Sequence, residues 1–467
     1  MMNALPSGRG LCFRLQMTSP LAHTLHGRVH APGDAGYTSA IAGFNTAVVH
    51  TPELVVAATT AADIVEAVRF ARAHGQRVTV QSTGHGAHTP IVAGLLIATR
   101  RLDRVTIDAR TRTATIGAGA RWAAVVAAAA EHGLAPVAGS STNVGVVGYL
   151  LGGGLGPLAR SHGFSSDYLV GLTVVTGRGD LIDVSRDSEA DLFWALRGGK
   201  EGLGIVTEVR LRLVPLSTLY GGSLFFEEAH IEAALRGWVA WTEKADPLVT
   251  TSIAIFRFPL LDFIPAPFRG RRLLGLRFAY PGASDEGARL AMPLRAAAPV
   301  YLDGLGELPA AEIARIHNDP TDPGPSWASG ALLTHVDQSF ASVLLGHFGA
   351  GTDGPFLAAE VRHIGAATAR DVEGGSAVGG RAAGFTLGLI GVDPAHFESV
   401  LPAMEARIID SLRPWLSSET NMNFAAHPRS AGHASAPSPA DTRARLADIR
   451  RRYDPDAVFS GGHGSPT

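Results

Sequence analysis

The stretch VQSTGHGAH, Val80 to His88, and the run AGSSTNVGVVGYLLGGGLGPLARSHG, Ala138 to Gly163, decide how this chain folds. In the first, a strand-like segment gives way to small residues, Ser82, Thr83, Gly84 and Gly86, whose backbone amides can approach a diphosphate, with His85 beside the ligand. Alone, a histidine between glycines is an ordinary turn residue. The second run, about fifty residues on, changes that reading, because its glycine spacing suits a backbone pressed against a flat ring and its phosphates. Commoner nucleotide templates fail. Gly117-Ala118-Gly119-Ala120-Arg121-Trp122 follows a strand and opens a helix, but Trp122 stands where a dinucleotide fingerprint needs a third glycine for close helix packing. Gly152 to Gly156 lacks the lysine and hydroxyl residue of a phosphate-binding P-loop.

Around these stretches the grammar is mixed. Val55–Thr59 reads as a strand; Thr60 caps a helix with Asp63 at its third position; Gly75 ends that helix and Val78–Val80 begins the next strand, a βαβ unit. Leu95–Ala98, Val105–Asp108 and Thr113–Ala118 alternate like strands, and Arg121–His132 is an alanine-rich helix. Leu172–Thr176 and Leu181–Val184 form a hairpin, followed by a helix, Glu189–Leu196, and a strand, Gly204–Val214. From about Leu216 to Glu419, helices such as Ile231–Glu243 and Phe397–Leu412 alternate with strands such as Ser252–Phe258, Arg272–Tyr280, Phe356–His363 and Phe385–Val392. This predicts a second domain. Asp319–Pro325 reads as a surface loop, and Ser430–Pro439 as a flexible segment before a last helix, Asp441–Tyr453.

Bulk properties narrow the function. A chain of 467 residues, 46% hydrophobic, can bury a large core. Forty basic against forty-two acidic residues leave no surplus field to attract nucleic acid or an anionic membrane. Cys12 is the single cysteine, which excludes an internal disulfide and a thiolate metal cluster and suggests a reducing, cytoplasmic compartment; no metal site is expected. The first sixteen residues lack the apolar core of a secretory signal, and Met17 offers an alternative start. Gly133 to Ala159 is uncharged and long enough to span a bilayer, but its glycines, two prolines and the polar run Ser140–Asn143 oppose a membrane helix.

Taken together, the two stretches resemble the FAD-binding domain of the vanillyl alcohol oxidase superfamily, also named after p-cresol methylhydroxylase (PCMH), and its berberine-bridge-enzyme-like branch. LTVVTGRGDLIDVS at Leu172–Ser185, DLFWALRGGKEGLGIVTEVRLRL at Asp191–Leu213 and RYDPDAVF at Arg452–Phe459 extend the likeness. It implies an α+β fold: a two-subdomain PCMH-type FAD-binding domain at 35–216, a substrate domain with an antiparallel sheet covered by helices at 217–419, a C-terminal segment at 420–467 that returns to the first domain, and an N-terminal extension, 1–34. It implies FAD bound covalently through His85. Ser141 stands where bicovalent relatives attach a cysteine, so a single attachment is expected. Val144 resembles the position where valine accompanies oxygen access, which favours an oxidase.

Further cofactor contacts implied by the resemblance are Gln81, Ser82, Thr83, Gly84, Gly86 and Ala87 in the first loop. In the second they are Gly139, Ser140, Ser141, Val144, Gly145, Gly148, Tyr149, Gly152, Gly154 and Leu155, with Gly204, Ile205, Val206 and Asn423 elsewhere. Two departures stand out. Lys200-Glu201-Gly202-Leu203 replaces an Asn-Phe-Gly after the glycines near Gly198, and the usual Tyr-x-Asn near the C-terminus is Asn421-Met422-Asn423, so a tyrosine often used as base is missing. Hydride transfer still needs a group to take the substrate's proton. Candidates are Glu360, which shares a strand face with Arg362 and equally suits a structural ion pair; Asn421, to orient a hydroxyl; and Tyr149 and His427. The expected activity is oxidation of a small organic alcohol, amine or metabolic intermediate, with oxygen reoxidising the flavin to give hydrogen peroxide. Rival readings are a dehydrogenase with another acceptor and a flavoprotein that steers a cyclisation or binds a metabolite without net redox.

Overall fold

Thr60 starts the first long helix as the capping pattern predicts: its side chain accepts from Asp63 N, and Asp63 accepts from the Thr60 amide in return. The helix Ala61–Ala73 crosses between the parallel strands Leu54–Ala57 and Val78–Gln81, which flank Leu95–Ala98; Arg28–His30 adds an antiparallel edge. The computed structural model describes residues 21–200, 202–262, 264–419, 421–423 and 440–459. His427, Cys12 and Ser430–Pro439 lie outside them.

A second, antiparallel sheet follows, in the order Val105–Asp108, Thr113–Gly117, Ile205–Arg212, Leu169–Val175, Leu181–Val184. Its core takes Trp122, Val125 and Ala129 from the alanine-rich helix Trp122–Ala130, and Leu446, Ile449 and Tyr453 from the last helix, Ala440–Tyr453. That helix then leads Val458 and Phe459 into the first sheet's core, where Val78 N donates to Val458 O at 2.8 Å. Asp454 fixes the turn by accepting from Val458 N and Phe459 N.

The third sheet has eight antiparallel strands, including Thr218–Glu227, Thr250–Arg257, Arg272–Tyr280, Trp327–Leu333, Ala358–His363 and Phe385–Gly391. Alternation divides its faces. Ile253, Ile255, Leu274, Leu276, Phe278, Val361, Leu387 and Leu389 pack outward with Leu235, Trp238, Leu294, Phe340, Leu344 and Ile408 from four covering helices. The opposite face carries Ser252, Arg277, Glu360 and Arg362. Sequence reading missed several elements of this region, among them the strands Thr218–Glu227 and Trp327–Leu333 and the helices Gln338–Phe348 and Ser284–Arg295, the last of which holds Pro293. The segment 319–325 is a loop, as expected, and it reaches the N-terminal part of the chain: Asn45 donates to Ser326 O at 2.8 Å and pairs with Gly324.

Candidate functional site

The loop after Val78–Gln81 is shaped by a close backbone crossing. Gly84 has φ +74°, and a Cβ there would lie 2.7 Å from Gly43 Cα, so only glycine fits. Phe44 N donates to Thr83 O at 2.8 Å, and this docking lays the Phe44 ring flat on the imidazole of His85, 3.7 Å between centroids. His85 Nδ1 meets Thr83 Oγ1 at 3.1 Å, whereas Nε2 is buried without a hydrogen-bond partner. Burial, helped by the Arg121 charge and opposed by Asp319, lowers the imidazole to about 4, so the ring is neutral and Nε2 keeps a lone pair when Nδ1 carries the proton.

Neighbours of His85 divide in role. Gln81 is committed to the protein, contacting His50 Nε2 at 2.8 Å and donating to Ile41 O and Ala42 O. Ser82 Oγ is buried with no partner, while Ser82 O accepts from Arg100 Nε at 3.0 Å. Ala87 O accepts from Asn45, and Gly86 has open space where a Cβ would stand.

The second glycine stretch meets this loop directly. Gly145 N donates to Thr83 Oγ1 at 3.3 Å, and a Cβ on Gly145 would lie 3.1 Å from Ser82 Oγ. Ser141 O and Val144 O accept from Val144 N and Trp122 N, closing a turn ahead of the short helix Val146–Leu151. The strap 319–326 covers this turn: Ser140 Oγ donates to Asp319 at 2.8 Å, and Asn143 donates to Thr321 O. Tyr149 fills the space between Gly139 and Gly154, where either Cβ would strike its ring, and sets its edge on Trp122. Its hydroxyl is enclosed next to Ser165, and burial pushes the phenol well above its ordinary range, which suits packing better than proton transfer.

Farther along, Gly152 leaves room for Asn423, whose Nδ2 donates to Tyr149 O at 2.9 Å. Asn421 Oδ1 accepts from Asn423 N, and its Nδ2 is buried without a hydrogen bond beside Gly153. Leu155 packs with Phe164 and Ile364. Gly204 (φ +137°) lies against Val174, and Ile205 and Val206 pack into the cores of the first and second sheets respectively. Gly148 faces open space.

Across the Leu155–Pro157 turn stands a charged cluster on the third sheet. Glu360 Oε2 accepts from Arg362 Nε at 2.8 Å; Oε1 accepts from Ser252 Oγ at 3.2 Å and lies 3.5 Å from Arg277 Nη1 and 3.6 Å from His317 Nδ1. Burial alone would raise the Glu360 carboxyl, but Arg362, Arg277 and His317 hold it at about 2. Burial and the two arginines lower His317 to about 4, so it is neutral at pH 7. Arg277 and His317 escaped the sequence reading. A cavity of about 10 Å³, room for one water, is lined by Leu155, Gly156, Ser252, Arg277, His317 and Arg362, among others.

The loops fit a flavin dinucleotide: His85 Nε2, Ser82 Oγ and Asn421 Nδ2 are orphaned polar atoms, and Gly86 and Gly148 leave unfilled space. The comparisons agree with that chemistry. Residues 52–185 match the model of the FAD binding domain. The (R)-6-hydroxynicotine oxidase of Paenarthrobacter nicotinovorans is 35% identical over 204 residues, 43% of this chain and 44% of that protein. An FAD-linked oxidoreductase of Bacillus subtilis, YgaK, is 28% identical over 69% of this chain and 71% of its own length. This chain thus spans about half the length of the first relatives, 44% of the nicotine oxidase and 54% of pgmH of Aspergillus terreus. Among solved structures, 6-hydroxy-D-nicotine oxidase from Arthrobacter nicotinovorans superimposes with TM-score 0.80 at 21% identity, covering 94% of this chain and 97% of that one. The berberine-bridge-like protein 1 of Physcomitrella patens does so with TM-score 0.80 at 17% identity, covering 95% and 97%.

This chain is an FAD-binding protein with the vanillyl-alcohol-oxidase/PCMH fold. It is similar in sequence to FAD-linked oxidoreductases over part of its length, and its fold is that of the nicotine oxidase and berberine-bridge-like structures. No helix among the described residues is long and apolar enough to cross a membrane, and no group of three or more His, Cys, Asp or Glu side chains there could hold a metal.

Proposed function

We propose that this chain is an FAD-dependent oxidase of a small organic molecule, with its flavin attached once, through His85. The observation that carries the reading is the neutral imidazole of His85, its Nε2 buried and unpartnered, at the meeting of two glycine stretches in an FAD-binding domain. His85 and the two glycine coils would hold FAD, which would supply a two-electron acceptor for the substrate's hydride and, with that hydrogen and the substrate's proton passed on to oxygen, the route to hydrogen peroxide. Ser141, lacking a thiol, offers no second attachment. Val144 and the oxidase names of the nicotine- and xylooligosaccharide-oxidising relatives favour oxygen as the acceptor.

The proton partner is His317. Glu360 is held so acidic by its cations that it is a poor base, whereas His317 is neutral, lines the cavity and has Glu360 3.6 Å from its Nδ1 to balance the charge it gains. Arg362 positions Glu360, and its Nη1 reaches Leu155 O at 3.5 Å, tying the cluster to the glycine coil.

The test is a purification followed by acid denaturation. Yellow protein whose flavin fluorescence stays with the polypeptide supports the tether, and oxygen uptake with matching peroxide release supports the oxidase. Wild-type protein that surrenders all its flavin to acid sinks the covalent link. Substrate-dependent bleaching of the flavin that oxygen does not reverse makes the enzyme a dehydrogenase.

A further inference from the structure

We infer that the substrate carries a flat aromatic ring and that Gly330 and Gly388 form the floor on which this ring lies. The inference rests on the oxidase reading above and names its substrate class. Strand register sets the geometry. On the face of the third sheet that carries the charged cluster, one row runs Phe225, Gly275, Ala254, Glu360, Gly388, Gly330, each the pairing partner of the next. Glycine inside a strand weakens a sheet and often marks a close approach by something else. Gly275 is accounted for by the protein itself, since a Cβ there would lie 3.0 Å from the Phe225 ring and 3.2 Å from that of Phe256. Gly388 and Gly330 have no such neighbour. Nothing lies within 4 Å of either missing Cβ, neither has a positive φ, and both are partly exposed although Glu360 beside them is buried.

The bare patch is bounded. On the same face its neighbours are Thr386 and Leu332 at one end, both buried, and Ile390 and Ala328 at the other, both partly exposed. Strand spacing puts these ends about 13 Å apart and the two glycines about 5 Å apart, room for a planar ring laid on the backbone. Leu332 packs with Leu155 of the second glycine coil, while Ser326 O, just ahead of the same strand, accepts from Asn45 Nδ2, which also donates to Ala87 O in the His85 loop. The strand Trp327–Leu333 is thus tied to both glycine coils, with Gly330 between the ties. Ala328, Ala358, Ile390 and Leu332 flank the patch with Thr386, so most hydroxyls of a sugar would be left there without partners. Glu360 and Asp319 both act on Arg277 and Arg362, and His317 is neutral, so the cluster holds no surplus charge for a charged substituent. A ring over Gly388 sets its substituent beside Glu360, 3.6 Å from His317.

The experiment uses the full-length, FAD-loaded protein. Benzyl alcohol, its puckered counterpart cyclohexylmethanol, and glucose are titrated with flavin absorbance as the readout, in the wild type, G330V and G388V. Valine suits an extended strand and its Cβ has room at both positions, so the variants should fold and keep FAD; G330A and G388A serve where a valine does not fold. Benzyl alcohol is expected to bind at least about tenfold tighter than cyclohexylmethanol or glucose, and each valine to weaken its binding at least about tenfold by filling the ring's space. The inference is overturned if cyclohexylmethanol or glucose binds as well as benzyl alcohol, if none of the three perturbs the flavin, or if either variant binds benzyl alcohol as the wild type does. Folded variants purified without FAD also overturn it, because the floor then belongs to the cofactor. Wild-type protein whose reduced flavin oxygen does not reoxidise would instead defeat the oxidase reading and leave the binding preference standing, so the two failures are separable.

Discussion

The imidazole of His85 lies parallel to the ring of Phe44, 3.7 Å apart with 13° between their planes. This stack fixes the ring and leaves Nε2 as its free nitrogen. His85→Ala is therefore expected to keep FAD in the fold but release it on acid precipitation, read as fluorescence moving from pellet to supernatant. Phe44→Ala removes a contact worth roughly 0.5–1.5 kcal/mol and should lower the covalent fraction without abolishing it. Because the imidazole titrates at about 4, attachment should be insensitive to pH above that value and slow as pH falls through it, when the proton occupies the lone pair. Attachment that instead fails near pH 6.5 would show that burial does not hold His85 neutral.

Two glycines of the second stretch separate folding from cofactor binding. A Cβ on Gly156 would overlap the Ala138 carbonyl, so Gly156→Ala should cost about 1–3 kcal/mol as the coil shifts and lower the melting temperature of flavin-free protein. Gly148 sits inside a short helix with nothing within 4 Å of its missing Cβ, where alanine favours the helix by roughly 0.5–1 kcal/mol. Gly148→Ala should thus leave the flavin-free protein as stable or more so, yet reduce its flavin content. Unchanged flavin content would remove Gly148 from the cofactor's surroundings.

The elements legible in sequence were those decided locally. The Thr60–Asp63 cap, the hairpin across Gly177–Asp180 and the last helix each carry their signal within a few residues, and the structure has all three. Elements that tertiary packing decides were illegible. The strand Thr218–Glu227 contains Gly221 and Gly222, poor strand formers held by pairing on both sides, and the helix Ser284–Arg295 carries Pro293, which argues against a helix in isolation. The site divides the same way. Glu360 and Arg362 are two apart on one strand, so alternation revealed the pair, but Arg277 and His317 reach them only through strand register and a distant loop, and no spacing marks them. Tyr149 lies between glycines in sequence, and in three dimensions Gly139 and Gly154 make room for its ring.

Glu360 holds together a buried cluster of mixed sign, and its loss should be felt in stability before chemistry. Glu360→Gln keeps the shape but removes the buried carboxylate that Arg362 and Arg277 share, a class of change that costs about 3–5 kcal/mol. Chemical denaturation should show that loss in flavin-free protein as well. An exposed pair such as Arg69–Glu66 serves as control, with an expected effect of about 0–1 kcal/mol. Equal effects at the two sites would mean that water reaches the Glu360 cluster freely.

Asp63 supplies a pH test of the region around the first sheet. Its carboxylate accepts from the amides of His26, Gly27, Thr59 and Thr60, joining the N-terminal segment to the helix start. Burial works against the charge, but these amides and the Thr59 hydroxyl outweigh it, so its pKa lies below the usual 3.8. A depressed carboxylate contributes stability in full above the unfolded-state value and loses it as pH falls through the folded-state value. The difference in unfolding free energy between the wild type and Asp63→Asn should then be constant from neutral pH down to about 5 and shrink below about 4. At neutral pH it should be about 1–3 kcal/mol, since the amide's one remaining oxygen cannot replace the carboxylate's several acceptor sites. A difference that grows on acidification would mean that Asp63 is protonated in the folded protein and that the N-terminal segment is held by other contacts.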